Sequence, residues 1–414
     1  MRRISSGMNN ADTQMHLRLQ ESKLNKASNQ MGSQRRIHEL RDDPIAAGHL
    51  VRYQSFLSRV ENFEKNALTL SDQFVLREGY MSNSLDVMQR VREIAVTGAN
   101  GIYTKDDMRD MAMEVDELLK ELVQNANAVS SDGNSIFAGT NTKSSAFDVE
   151  MGTVQGSAVP LISNVKYNGT IDMNNVEVDE RKYLSVDNAG NRTFWAEQQQ
   201  LFGGRDASAW QASADSTISV DGVAINIKAG DNVYALASKI NDSGAAVRAK
   251  IDPVTRGLNL ETTDARQLWL SDVNGSVLSD IGIIKDASQK PPYNIGNSVR
   301  VSGGSMFDTV IALRDALLKG DTEEVGGRVL GALDSGIASL VTRIAKSGSQ
   351  YERAQLNAQR NSATAMNVTQ QISREGDLDI TKAITDMKML DYTYQATLSN
   401  AGKMFNSTLL NYMR

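Results

Sequence analysis

Cysteine is absent from the 414 residues. That excludes disulfides, thiolate nucleophiles and cysteine-ligated zinc or iron–sulfur centres. Histidine occurs three times, at His16, His38 and His49. His38-Glu39 opens like a zinc-protease motif, but Asp42 stands where the second histidine is needed. Gly203-Gly204 and Gly303-Gly304 lack the lysine of a phosphate loop, and no serine sits in a G-x-S-x-G setting. No catalytic residue, metal site or cofactor is therefore expected. No run approaches eighteen apolar residues, so no membrane insertion is expected. The start, MRRISSGMNN, has basic residues but no apolar stretch after them. A cleavable signal peptide is not expected, and export would leave this end intact. Aromatics are scarce at 6%, and the net charge of -6 is mild. Arg35, Arg36 and Arg41 form a small basic patch without interleaved aromatics, so nucleic acid is not an expected partner.

What is present is helical periodicity at both ends. Residues 377–414 contain no proline and one internal glycine, Gly402. Ile380, Ile384, Met387, Leu390, Tyr394, Leu398, Ala401, Phe405, Leu409 and Tyr412 recur at steps of three and four. That is one face of a helix and fits a heptad seam. Such a helix cannot bury its own stripe and needs a partner. Near the other end, Ile4, Met8, Ala11 and Met15 form a second stripe, and Leu17, Leu24 and Met31 repeat at sevens. The two stripes can pair with each other, closing an ordinary helical domain, or with other subunits in an extended coiled-coil assembly. Met is plentiful at 17 residues and fills irregular gaps between helices.

The length suggests two to four domains. The first helix is expected over residues 1–40. Asp42 or Asp43 can cap the next helix, with Pro44 at its first position. A helical region follows over 41–146, with Gly79 as a possible interruption. A capping box is expected at Thr104 and Asp107. Strand-like structure is expected at Ile136-Phe137. From 147 to 305 the chain turns to short alternating runs rich in Gly, Asn, Asp, Val and Ile. Asn168-Gly169, Asp221-Gly222 and Asn274-Gly275 look like hairpin turns. A short helix is expected at 235–240, and strands at 247–251, 258–261 and 267–270. Helices resume over 306–376, and a terminal helix covers 377–414. The fold class is mainly α with an inserted β-rich region, the insert expected to fold by itself.

Several runs together resemble the flagellin family. They are Arg41-Asp42-Asp43-Pro44-Ile45-Ala46-Ala47, then Ile136-Phe137-Ala138-Gly139, and the C-terminal stretch from Tyr394 to Leu410. Residues 217–283 resemble a β-rich module found in that family, on Ile218-Ser219-Val220-Asp221-Gly222 and Ser279-Asp280-Ile281-Gly282-Ile283. The resemblance makes Asp42, Asp43, Pro44, Phe137 and Gly139 signature positions. It implies a helical rod with terminal coiled-coil helices, whose stripes (Ile4, Met8, Met15, Leu24, Met31; Ile380 to Leu409) form the assembly interface. Met1-Arg2-Arg3-Ile4-Ser5 and the run from Phe307 to Leu317 are similar to the members that join hook to filament. The implied role is a structural junction piece of the bacterial flagellum. It would be secreted without a cleaved signal and be extracellular, or periplasmic where flagella are. Implied partners are a ring of like copies, a neighbouring hook-associated junction protein, flagellin and an export chaperone. The alternatives are a filament subunit, and a surface adhesin or cap-type protein.

Overall fold

The computed structural model describes residues 6–410 apart from position 158, and side chains from residue 11 to residue 403. The chain divides into two compact units.

The first unit combines residues up to 65 with those from 357 onward. It contains helix α1 (Ser6–Ser33), the start of α2 (Pro44–Ala99), the end of α9 (Leu330–Gly376) and α10 (Ile380–Leu410). Helix α1 stops at Ser33 rather than near residue 40. Gln34 adopts a positive φ of 56°, the left-handed geometry that ends helices. The chain then pairs with a segment far along the sequence. Arg36 N donates to Gly376 O at 2.8 Å, and Leu378 N donates to Gln34 O at 3.0 Å. Arg35 and Asp377 form an antiparallel bridge. Residues 35–40 carry helix-forming side chains, yet this long-range pairing overrides local preference. Helix α2 runs through Gly79 unbroken, since one glycine costs only about 1 kcal/mol.

The second unit, Asn66–Leu356, holds the rest. Helix α3 (Lys105–Ala126) opens with the expected capping box: Thr104 N donates to Asp107 Oδ2 at 2.9 Å and Asp107 N to Thr104 Oγ1 at 3.3 Å. The segment around Ile136 is a loop rather than a strand, with two isolated bridges, Val129 to Ser135 and Ala138 to Ala189. Strands β1 (Phe147–Gly152) and β2 (Leu161–Tyr167) pair antiparallel, as do β3 (Asn174–Asp179) and β4 (Lys182–Val186). The short helix α4 (Gly190–Thr193) follows. Then come β5 (Gln200–Gly203), β6 (Ser216–Val220), β7 (Val223–Ile227), α5 (Val233–Asp242), β8 (Val247–Ile251), β9 (Leu258–Thr262), β10 (Leu270–Asn274), α6 (Val277–Ile281) and β11 (Val299–Ser302). They make two antiparallel sheets, ordered β10-β6-β7 and β11-β5-β9-β8. Helix α7 (Met306–Lys319) and the one-turn α8 (Thr322–Glu324) lead through a π-helical turn, Val325–Val329, into α9.

Of the expected hairpin turns, Asp221-Gly222 joins β6 to β7 with φ of 52° and 82°, the I′ pattern. The other two are not hairpins. A Cβ at Gly169 would sit 2.3 Å from the Tyr167 hydroxyl, so glycine there serves close packing rather than a turn. Asn274-Gly275 ends β10 and leads into α6. The strand expected at 267–270 begins only at Leu270, because Gln199 Oε1 takes the Leu268 N–H at 2.7 Å.

Two hydrophobic cores fill this unit. One joins the helices to β1 and β2 and includes Met88, Leu119, Phe147, Phe194, Phe307 and Leu333. The other is confined to 201–284 and includes Leu201, Ile218, Val220, Leu236, Leu258 and Leu278. The expected boundary at 147 does not match this division. Phe147, Ile162, Val165, Tyr167, Phe194 and Ala196 share the helical core, and the separate core starts at β5.

Candidate assembly interface

The candidate site is the helix pair α1–α10 with the loop that closes it. The two helices pack together. On α1 the half-buried positions are Thr13, Leu17, Gln20, Leu24, Ala27, Gln30 and Met31. On α10 they are Ala383, Met387, Leu390, Tyr394 and Thr397, with Ala401 buried. Both follow steps of mostly three and four, a seam of heptad type. Leu24, Met31, Met387, Leu390 and Tyr394 are half-buried along this seam.

Four other expected interface residues do not lie on this seam. Met15 is 64% exposed, Ile380 50%, Ile384 39% and Leu398 52%. They face outward, together with Leu19, Met389 and Tyr392. The reason is phase: seam and outward face are both apolar, so composition alone merges two stripes into one. The seam itself admits Thr13, Gln20 and Gln30, which an apolar count passes over. The side chains of Ile4, Met8, Phe405 and Leu409 lie outside the described residues.

The loop residues 34–43 explain the Asp-Asp-Pro run. Asp42 Oδ2 accepts the backbone N–H groups of His38 and Glu39, both at 3.1 Å, and Oδ1 pairs with Lys26 Nζ at 2.6 Å. The Lys26 ammonium and these two amides hold its carboxyl at about 2, well below the usual carboxylate range. Asp43 caps α2 by accepting the Ala46 N–H at 3.1 Å, and that bond lowers its pKa too. Pro44 takes the first helical position, where a missing N–H costs nothing. Arg36 fastens the loop by donating to Glu375 O at 2.8 Å and pairing with Asp43 at 3.2 Å. Its role carried no sequence signal, because its acceptor is a backbone carbonyl 339 positions away.

The Phe-Ala-Gly run belongs to the second unit. Phe137 is fully buried and meets Phe194 edge to face at 5.1 Å. Gly139 has φ +68°, and a Cβ there would sit 2.3 Å from Thr170 O, so no other residue fits.

Residues 4–142 match the bacterial flagellin N-terminal helical region, and 213–264 match the flagellin hook IN motif. Over these two stretches the chain is similar to bacterial flagellins. It is 24% identical over 261 residues to flagellin of Salmonella muenchen, covering 62% of this chain but 50% of that one. It is 23% identical to flagellar hook-associated protein 3 of Escherichia coli K12, covering 56% of this chain and 67% of that protein. Against polar flagellin F of Vibrio parahaemolyticus it is 23% identical, covering 74% and 76%. The chain thus spans only about half the length of the Salmonella flagellin it matches. Among solved structures, flagellar hook-associated protein-3 of Legionella pneumophila superposes with TM-score 0.48 at 16% identity, covering 78% of this chain and 97% of that one. FlgL of Xanthomonas campestris gives 0.43 at 18%, covering 75% and 99%. Among the described residues, no helix is long and apolar enough to cross a membrane.

Proposed function

We propose that this chain is a non-enzymatic structural adapter at the junction of flagellar hook and filament. The observation that carries an assembly role is the outward apolar face of the terminal helix pair. Met15, Leu19, Ile380, Ile384, Met389, Tyr392 and Leu398 are exposed on helices that already pack against each other. Apolar surface of this kind marks a contact with further protein. Like copies in a ring would cover it, with a hook-associated neighbour on one side and flagellin on the other. An export chaperone would shield it before assembly, and the adapter would reside outside the cell on the flagellum, or in the periplasm where flagella run there. The start Met1 to Ser5 and the run from Phe307 to Leu317 favour a junction member, as do the hook-associated proteins 3 of Escherichia coli and Salmonella typhimurium among its relatives.

A second reading, a filament subunit, is favoured by the flagellins among the same relatives. The two differ in symmetry. A filament repeats one heterologous contact without limit, whereas an adapter meets different partners at its two axial ends. Electron microscopy of the purified chain mixed with isolated hooks separates them. The expected outcome is a short collar on hook ends and no growth beyond it. Long regular filaments of this chain alone would establish the filament reading instead.

A further inference from the structure

A small cavity in the second unit lies between α2, the segment 187–193 and α9. Its volume is ≈ 30 Å³, and Arg77, Asp187, Arg192, Arg343, Lys346 and Ser347 line it. Four of these six carry positive charge and one carries negative charge. Arg77 and Ser347 are almost wholly buried, 5% and 4% exposed. Asp187, itself on the cavity wall, holds two of the arginines, and Asp264, outside the lining, holds the third. Arg77 Nη1 donates to the Asp187 carbonyl at 3.1 Å, and Arg192 Nη1 pairs with the Asp187 carboxylate at 3.3 Å. Arg343 Nη2 pairs with Asp264 at 3.0 Å. These contacts leave donors unused. Arg77 Nε, Arg192 Nε and Ser347 Oγ are buried and have no hydrogen-bond partner.

Three orphaned donors beside surplus positive charge need an acceptor that carries negative charge. The space would hold about two waters, but water supplies no charge. Burial pushes the Arg77 guanidinium down to about 10, the mark of a cation short of compensation. We propose that this cavity is a binding site for one small inorganic anion, which ties the 187–193 segment to α2 and α9. A halide and a compact oxyanion share the required chemistry.

The test uses the full chain. Thermal melts are compared at matched ionic strength in chloride, sulfate, phosphate and gluconate, the last too bulky to enter. A saturable rise in Tm is expected with at least one small anion and none with gluconate. In Ser347→Ala and Arg192→Met the half-saturating concentration should rise at least about tenfold, the factor that losing one charge-assisted hydrogen bond predicts. Bromide-soaked crystals should show an anomalous peak within hydrogen-bonding reach of Arg77 Nε, or a sulfate there if oxyanions are preferred. Melts that follow ionic strength alone would overturn the site. Unchanged half-saturation in Ser347→Ala would overturn it too, as would crystals that show water only. If Arg192→Met fails to fold, Ser347→Ala and the crystals still decide.

Discussion

At the scale of single residues, the costliest arrangement is an ion pair inside the helical core. Arg314 on α7 and Asp116 on α3 are 0% and 1% exposed and meet at 2.9 Å. Arg314 also donates to Ile162 O on β2 at 2.8 Å, so one side chain links three elements. Without Arg314, Asp116 keeps only Lys120, at 3.0 Å, as an ion partner, and its other oxygen is left buried without one. Arg314→Met should therefore destabilise the chain by roughly 3–5 kcal/mol. Arg314→Met combined with Asp116→Leu should recover much of that loss, and equilibrium denaturation of both variants checks it. Asp42 gives a prediction in pH. Its folded pKa, about 2, lies below the ordinary 3.8. The contribution of its ionised form is thus fully present above about pH 4, falls as the solution is acidified, and is lost through pH 2. A carboxyl NMR titration should find Asp42 titrating near 2, and in Lys26→Met nearer the ordinary value. An unchanged titration in that variant would mean the amides of His38 and Glu39 hold the shift alone.

At the scale of elements, the terminal helices differ from the other long helices in how little they bury. No described side chain of α1 is fully buried, and in α10 only Ala401 is. Helices α3 and α7, by contrast, each bury an entire face. Most helical stability in proteins comes from tertiary packing of a face, so α1 and α10 have the least of it. Leu398→Asp tests what the outward face is for. Leu398 is 52% exposed, so the substitution should change the stability of the free chain by no more than about 0.5 kcal/mol. Incorporation onto hooks should nevertheless fail, because a charge would enter a subunit contact. A thermal melt beside an assembly assay reads both. Normal assembly would remove this face from the interface.

At the scale of the whole molecule, what decides where the chain can be cut is the division between the two cores of the second unit. The chain enters the separate core through β5 and leaves through β11, which are adjacent and antiparallel. Entry and exit strands that pair directly let a segment fold as a closed piece. A fragment of residues 198–302 should give a cooperative melt with β-type circular dichroism. A fragment starting at 147 carries Phe147 and Phe194 without Phe307, which meets Phe147 tilted at 5.0 Å and stacks on Phe194 at 5.6 Å. It should expose that apolar surface and bind a hydrophobic dye. Equal behaviour of the two fragments would contradict the division.

The sequence alone determined most element types, because period and capping are local, but not the loop at Ile136-Phe137 or the close packing at Gly169. The stripes of α1 and α10, the capping box at Thr104, the turn at Asp221-Gly222 and the cap at Asp43 all depend on residues within a few positions of one another. The signature runs were legible as runs, but their purpose was not. Only the tertiary structure showed that Gly139 yields to Thr170, that Asp42 gathers a loop, and that α1 ends at Ser33 to pair with the segment after α9. It alone separated the seam of Leu24 and Tyr394 from the outward face of Met15 and Leu398. It alone put Phe147 into the helical core and brought Arg77, Arg192 and Ser347 around one cavity. Those outcomes depend on which distant segments meet, and contacts across hundreds of residues leave no period in the chain.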